Sequence, residues 1–259
     1  LVLLLAMLPT ALLMMLDTRQ LLGISVWVKP LKFQLSVGTY LLTLAWVMAF
    51  LTPHQRLSVG GRYVTWTAIT SALLEVAYIS WQAAWGRASH FNIGTSFDAT
   101  MYGLMGVGAV LLTSTALVLG VMVLRNRPTG FSPVLQQAVG WGLVLTCLLG
   151  TGFGAYLSTR TGHAVGGSAS DAGGMWLSGW LRSGGDLRVA HFFGIHAVHA
   201  MVVVGWLLDR LSRRRTVLES AITDRASGAV VVVWGFALAY SLLCAWTLHQ
   251  AMAGRPFLG

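Results

Sequence analysis

The chain has 259 residues, of which 56% are hydrophobic and only 10% are charged. Soluble domains carry about 25% charged residues, so this composition excludes an ordinary soluble domain and predicts an integral membrane protein. The net charge of +9 does not indicate nucleic-acid binding, because the basic residues cluster at the ends of apolar runs, as topology signals do. No polar block is long enough to form a second core, so we predict a single transmembrane helical-bundle domain over residues 1–259.

Apolar runs of the length that a bilayer requires, about 20 residues, recur along the chain. We interpret them as seven spans near 1–16, 34–52, 63–85, 98–124, 134–157, 189–209 and 229–251. The first run has no basic flank and no small-residue cleavage site, so it is interpreted as the visible part of a first span and not as a signal peptide. The predicted fold class is therefore all-α, a polytopic membrane bundle of about seven transmembrane helices.

The positions of the basic residues predict how the bundle is oriented in the lipid bilayer. Basic residues are divided almost equally between the two sets of loops, but the dense run from Arg210 to Arg215 lies at the end of a span. Positive charge in such a place favours the cytoplasmic side. We therefore predict a cytoplasmic N-terminus and an extracytoplasmic C-terminus.

The sixth predicted span carries three histidines in its first half, His191, His196 and His199. Imidazole gains nothing from lying in hydrocarbon, so these rings need partners inside the bundle. On an ideal helix, with about 100° between residues, the three rings form a broad stripe that faces inward. Six of the seven histidines fall toward the same face of the bundle, and only His54 lies on the other side.

Glu75 is the only acid clearly within a predicted span. A carboxylate in hydrocarbon is costly unless it is paired or protonated, so we expect Glu75 to face the bundle interior. At a rise of about 1.5 Å per residue, Glu75 and His199 lie at nearly the same depth, which makes them the candidate acid–base residues. Two arrangements stay open: a neutral Glu75 bonded to a neighbouring Ser or Thr, and a direct contact between Glu75 and His199.

The links between spans add further polar residues. His90 and Asn92 have no obvious structural task, whereas Asp98 and Asp186 are expected to cap the helices that follow them. The long Gly- and Ser-rich link over 158–188, which contains His163, is expected to be a lid over a site or partly disordered.

Three chemistries fit this set of polar residues. The first is haem b held by axial histidines, with His90, His163, His191 and His196 as candidates for cofactor binding. The second is a Zn, Cu or non-haem Fe ion bound by His191, His196 and His90, although the chain has no His-Glu-x-x-His motif. The third is a proton or solute path lined by Glu75 and His199.

The leading hypothesis is a membrane redox protein that binds haem b and passes electrons to a quinone or a partner subunit. The alternatives are a metal-dependent membrane hydrolase or oxidase that uses the same histidines, and a non-catalytic membrane subunit or transporter. Whether the chain is an enzyme stays open at this point, and a bound nucleic acid is not expected.

Three patches carry a resemblance to a known group of proteins: Lys29-Pro-Leu-Lys32-Phe, Ser89-His90-Phe-Asn92 and Gly184-Gly-Asp186-Leu-Arg188-Val-Ala-His191-Phe-Phe-Gly-Ile-His196-Ala. They resemble patches in a group of bacterial multi-pass membrane proteins that has no established activity. The resemblance implies a location in the bacterial inner membrane and adds weight to His90, His191 and His196. It does not choose among haem, metal and transport.

Overall fold

The computed structural model describes residues 1–126, 130–167, 170–176, 178–216 and 222–258, without side chains between 213 and 227. The fold is all-α, as predicted. The helices are α1 Val2–Leu5, α2 Met7–Leu16, α3 Val28–Ala49, α4 Pro53–Leu57, α5 Val59–Ala84, α6 Ser96–Arg125, α7 Pro133–Ser158, α8 Arg188–Ile195, α9 Ala197–Thr216 and α10 Ile222–Met252. Two short antiparallel strand pairs join β1 Gln20–Leu21 to β2 Ile24–Ser25, and β3 Ala164–Val165 to β4 Gly185–Asp186.

Several of these helices suit a membrane protein, but the predicted number of seven spans is not confirmed. Within the described chain, α3, α6, α7 and the Gly228–Met252 part of α10 are long and apolar enough to cross a membrane. The bent pair of α8 and α9 makes a fifth if it is one span. Helix α5 is not among them, and the predicted first span forms only a shorter apolar helix.

Short hydroxyl side chains set where several helices begin. Their oxygens accept a bond from the backbone N–H three residues later, which satisfies a donor that the first turn leaves free. These residues are Thr52, Ser58, Thr95 and Ser132. The prediction that Asp98 caps the fourth predicted span is therefore wrong: Thr95 is the cap of α6, and Asp98 lies in its first turn, where it accepts the Thr95 hydroxyl at 2.7 Å.

Helix α7 lies at the centre of the described bundle and packs against α6, α8, α9 and α10. Glycines permit this approach: a Cβ on Gly150 would lie 2.8 Å from Ile195 Cγ2, and one on Gly154 would lie 2.9 Å from His191 Cε1. Helices α7 and α8 are thus in close contact at these two glycines. Gly103 and Gly106 of α6 make no such contact, because both face open space.

The sixth predicted span is broken at His196, where α8 and α9 meet at 47°. The backbone N–H of Val198 donates to Thr146 Oγ1 of α7, at 3.0 Å, and so leaves the hydrogen-bond ladder of its own helix. A side chain inserted into that ladder is a known cause of sharp kinks. The bend therefore comes from a tertiary contact, and it places His196 at the junction of the two helices.

Replacing Thr146 by Val is expected to lower the free energy of unfolding by about 1–3 kcal/mol, because the buried Val198 N–H loses its acceptor. Thr146→Ser keeps the hydroxyl and should unfold like the wild-type protein. Unfolding in detergent, followed by tryptophan fluorescence, measures both variants. An equal loss in the two would contradict this account of the bend.

The link between α7 and α8 folds back over one end of the bundle. The Asp171 N–H donates to Leu22 O at 2.9 Å, and Lys32 Nζ donates to Ser178 O at 2.8 Å. These bonds fasten the described parts of the link to the β1–β2 turn and to α3. Of the two expectations for this segment, a lid fits the described residues.

Candidate functional site

Polar side chains from both halves of the chain lie within electrostatic range of one another. We call them the buried polar centre: Glu75, which is buried, and Lys29, His90, His191, His196 and His199, which are part-buried. The charge of Lys29 acts on both Glu75 and His90, and His191 lies within electrostatic range of both His90 and His196. His196 and His199 are in direct contact, and Glu75, His90 and His191 lie within electrostatic range of Lys29 or of another histidine of the group. Lys29 is not among the site residues predicted from the sequence.

His191 is held in one tautomer by the backbone of α7. Its Nδ1 lies 3.1 Å from Gly150 O, and a carbonyl oxygen can only accept a hydrogen bond. Nδ1 must therefore carry the proton, and Nε2 carries the lone pair. The ring lies against Gly154, so the two small residues of α7 provide both the room and the acceptor.

A chain of hydrogen bonds fixes the protons on the next two histidines. The Thr43 hydroxyl donates its single hydrogen to Thr39 O at 2.9 Å, so it accepts from His199 Nε2 at 3.1 Å. His199 Nδ1 then has a lone pair and accepts the Nδ1–H of His196 at 3.2 Å. The Nε2 lone pair of His196 remains, buried and without a hydrogen-bond partner among the described residues.

His90 reaches the centre from the α5–α6 link. Its Nδ1 lies 3.1 Å from Ser89 Oγ, and its ring lies 5.6 Å from that of Phe33 and 6.1 Å from that of Tyr102. Burial lowers the pKa of His90 well below its usual value, and the charges of Lys29 and His191 lower it further. His90 is therefore a neutral imidazole near pH 7, which is the form that binds a metal.

His163 does not join the buried polar centre. Its Nε2 lies 3.2 Å from Asp171 Oδ1, within ion-pair distance but outside hydrogen-bond geometry. Burial alone would raise the pKa of Asp171, but the contact with His163 and the charge of Arg188 bring it below its usual value. His163, which was predicted as a cofactor ligand, thus lies in the lid beside the carboxylate of Asp171.

Arg188 joins the lid to the first turn of α8. Its guanidinium donates to Asp186 Oδ2 at 2.7 Å, to Asp171 Oδ1 at 2.8 Å and to Gly179 O at 3.0 Å. Asp186, expected to cap this helix, accepts the backbone N–H of Arg188 at 3.0 Å, although the N-cap position itself is Leu187. We call Asp171, Asp186 and Arg188 the lid clamp.

Glu75 is 7% exposed and faces α6, where a Cβ on Gly108 would lie 2.9 Å from its Oε1. The expectation that it faces the interior is confirmed. Neither open arrangement is present in the described part of the chain: Oε1 has no hydrogen-bond partner, and His199 bonds to Thr43 and His196 instead. The charged residue that acts on Glu75 is Lys29, which is not among the site residues predicted from the sequence.

In the described ranges, no three His, Cys, Asp or Glu side chains are placed to hold a metal ion. His90, His191 and His196 are therefore not assembled as the predicted three-ligand site. Cys147 and Cys244 are buried free thiols. Comparisons with protein-family models, curated proteins and solved structures found no match to this chain.

Proposed function

We propose that this chain is a multi-pass protein of the bacterial inner membrane that binds haem b through buried histidines and passes electrons to a quinone or a partner subunit. The observation that carries the proposal is the placement of two imidazole nitrogens: His191 Nδ1 lies 3.1 Å from Gly150 O, and His196 Nδ1 lies 3.2 Å from His199 Nδ1. We infer the tautomers from these contacts. Both rings keep a proton on Nδ1 and direct that proton to a fixed acceptor, so both present an Nε2 lone pair. Metal-binding histidines have this arrangement, in which the second nitrogen is hydrogen-bonded to a carbonyl or another acceptor.

The remaining residues of the buried polar centre support such a role. Haem iron needs at most two protein ligands. The lack of a group of three metal-binding side chains in the described residues therefore does not count against a haem site. The His199–Thr43 chain orients His196 and strengthens Nε2 as a ligand. His90, neutral and close to His191, is the candidate for a ligand from a different segment. When bound, the haem would supply one-electron chemistry, and the protein would supply its position and its dry surroundings.

Proton or solute transport is the second candidate, and the bend at His196 favours it. Irregular backbone at membrane depth is tolerated where it is buried or lines a cavity, as in the broken helices of transporters. A metal-dependent hydrolase or oxidase has less support, because the described residues lack the usual three protein ligands. We further propose that the N-terminus is cytoplasmic, because the basic run Arg210–Arg215 at the end of a span favours that side. The side chains of this run are described only up to residue 212.

The absorbance spectrum of the purified protein tests the haem proposal. We expect a Soret band and bound iron in the wild-type protein, and their loss in His191→Ala and in His196→Ala. His54→Ala removes an exposed histidine of α4 and should leave the spectrum unchanged. A folded protein with neither a Soret band nor iron would refute the proposal, and stoichiometric zinc or copper without porphyrin would favour the metal-dependent enzyme.

A further inference from the structure

A groove lies on the surface of α9, toward the C-terminal end of that helix. It has a volume of about 320 Å³, and the described residues that line it are Trp206, Leu207, Arg210 and Leu211. Trp206 and Leu207 lie one turn before Arg210 and Leu211, so the four share one face of the helix. Trp206, Leu207 and Leu211 are 48%, 46% and 56% exposed. This α9 groove is therefore an open surface with room for a ligand, and not a gap among packed side chains.

A cation stands at the α9 groove without an acidic partner. The Arg210 guanidinium lies over the indole of Trp206, with Cζ 5.3 Å from the ring centroid. Among the described side chains, no carboxylate lies within ion-pair distance of Arg210. Asp209, the preceding residue, is about 100° further round the helix and does not line the groove. Arg210 can therefore offer its charge and its N–H groups to an anionic ligand.

Positive charge continues beyond the groove along the same helix. Arg213 and Arg214 follow three and four residues after Arg210, so their backbone positions lie one turn further on, on the same side of α9. Residues 210–216 contain four arginines and no acid. A basic run at the end of an apolar helix attracts the anionic head groups of a membrane. The charge of this helix end thus complements a phosphate group in the α9 groove.

The lining of the groove fits a phospholipid better than a free anion. Three of the four lining residues are apolar or aromatic, and a small anion would gain nothing from contact with them. Val203, one turn before Leu207, is 57% exposed and extends the apolar strip away from the arginines. An acyl chain can cover this strip, and tryptophan is favoured at the depth where head groups and hydrocarbon meet.

We propose that the α9 groove binds one anionic diacyl phospholipid of the phosphatidylglycerol class. The phosphate accepts hydrogen bonds from the Arg210 guanidinium, the glycerol region packs on Trp206, and one acyl chain follows Leu207 and Val203. The ion pair between guanidinium and phosphate selects the anionic lipid, because a choline head group would bring its own positive charge beside Arg210. This site requires no haem and does not depend on the proposed redox function.

Native mass spectrometry of the full chain in a mild detergent tests the site by titration with dioleoyl phosphatidylglycerol. The matched zwitterionic lipid is dioleoyl phosphatidylcholine. We expect one saturable site that prefers phosphatidylglycerol about tenfold or more. Arg210→Gln should weaken the binding of phosphatidylglycerol about fivefold, the contribution of one basic residue at a membrane surface, and leave that of phosphatidylcholine unchanged. Trp206→Ala should weaken both lipids, because it removes the wall that they share.

Arg62→Gln is the control, since it removes an exposed charge from the start of α5 and should bind both lipids like the wild-type protein. Size-exclusion elution identifies a variant that is not folded, for which Arg210→Ala and Trp206→Leu serve as replacements. Equal affinity for the two lipids, or a preference that the Arg210 variants leave unchanged, would overturn the inference. So would displacement of the lipid by inorganic phosphate at constant ionic strength, which indicates a free-anion site. A dimer in the same spectra that Trp206→Ala dissociates would assign the groove to a second copy of the chain, and would also overturn it.

Discussion

Replacing Arg188 by Met is expected to lower the free energy of unfolding by about 3–5 kcal/mol, the range for removing one partner of a buried ion pair. The guanidinium is the shared cation of the lid clamp, and Asp186 and Asp171 are 1% and 9% exposed. Without Arg188, two buried carboxylates would lose their common partner, and the lid would lose its bond through Gly179 O. We therefore expect the lid to open in addition to the loss of stability.

Unfolding in detergent measures the stability, and limited proteolysis within 158–188 measures the opening of the lid. Arg182→Met, an exposed change in the same link, is the control and should stay within about 0.5 kcal/mol of the wild-type protein. Arg188→Lys keeps the charge but loses the planar fork, so it should fall between the two. The lid clamp would have no structural role if Arg188→Met unfolded like the control.

Substituting Ala for Gly194 should destabilise the protein by about 3 kcal/mol, the upper end of the range for overpacking. A Cβ at this position would lie 2.9 Å from Leu149 C and 3.0 Å from Gly150 N. Both are backbone atoms of α7, which cannot turn aside as a flexible side chain would. Helices α7 and α8 would have to separate, and His191 would move away from Gly150 O.

Gly152→Ala is the matched control because Gly152 lies on α7, the helix that Gly194 of α8 packs against, and nothing lies within 4 Å of its added Cβ. It should be neutral or stabilise the protein by about 0.5–1 kcal/mol, since Ala favours the helix more than Gly does. Thermal unfolding of both variants, with the Soret band as a second readout of the site, checks the prediction. Equal behaviour of the two glycine variants would mean that the α7–α8 approach is not close.

The sequence predicts the helices well where an apolar run alone determines the structure. The predicted spans 98–124 and 134–157 correspond to α6 Ser96–Arg125 and α7 Pro133–Ser158. It does not predict the bend at His196, because the cause is Thr146, a residue 50 positions away in sequence that takes a backbone donor from α9. Such a contact has no local signal, since neither residue breaks a helix by its own propensity.

The candidate site was predicted only in part, because tertiary contacts that leave no local signal in the sequence also position some of its residues. Glu75, His191, His196 and His199 could be found because a polar residue in an apolar run needs a partner. Lys29 was missed because a lysine at the start of a span usually lies at the interface, and only the fold brings its charge within electrostatic range of Glu75. His163 was included for its residue type, whereas its position in the lid depends on Asp171.

The central place of α7 also has a consequence for how the chain is made. Helix α6, synthesised before it, packs on one side, and α8, α9 and α10, synthesised after it, pack on the others. A nascent chain that ends at Ser158 therefore leaves the Gly150–Gly154 face without its native cover. We expect this face to depend on the translocon or an insertion chaperone until the C-terminal helices emerge from the ribosome.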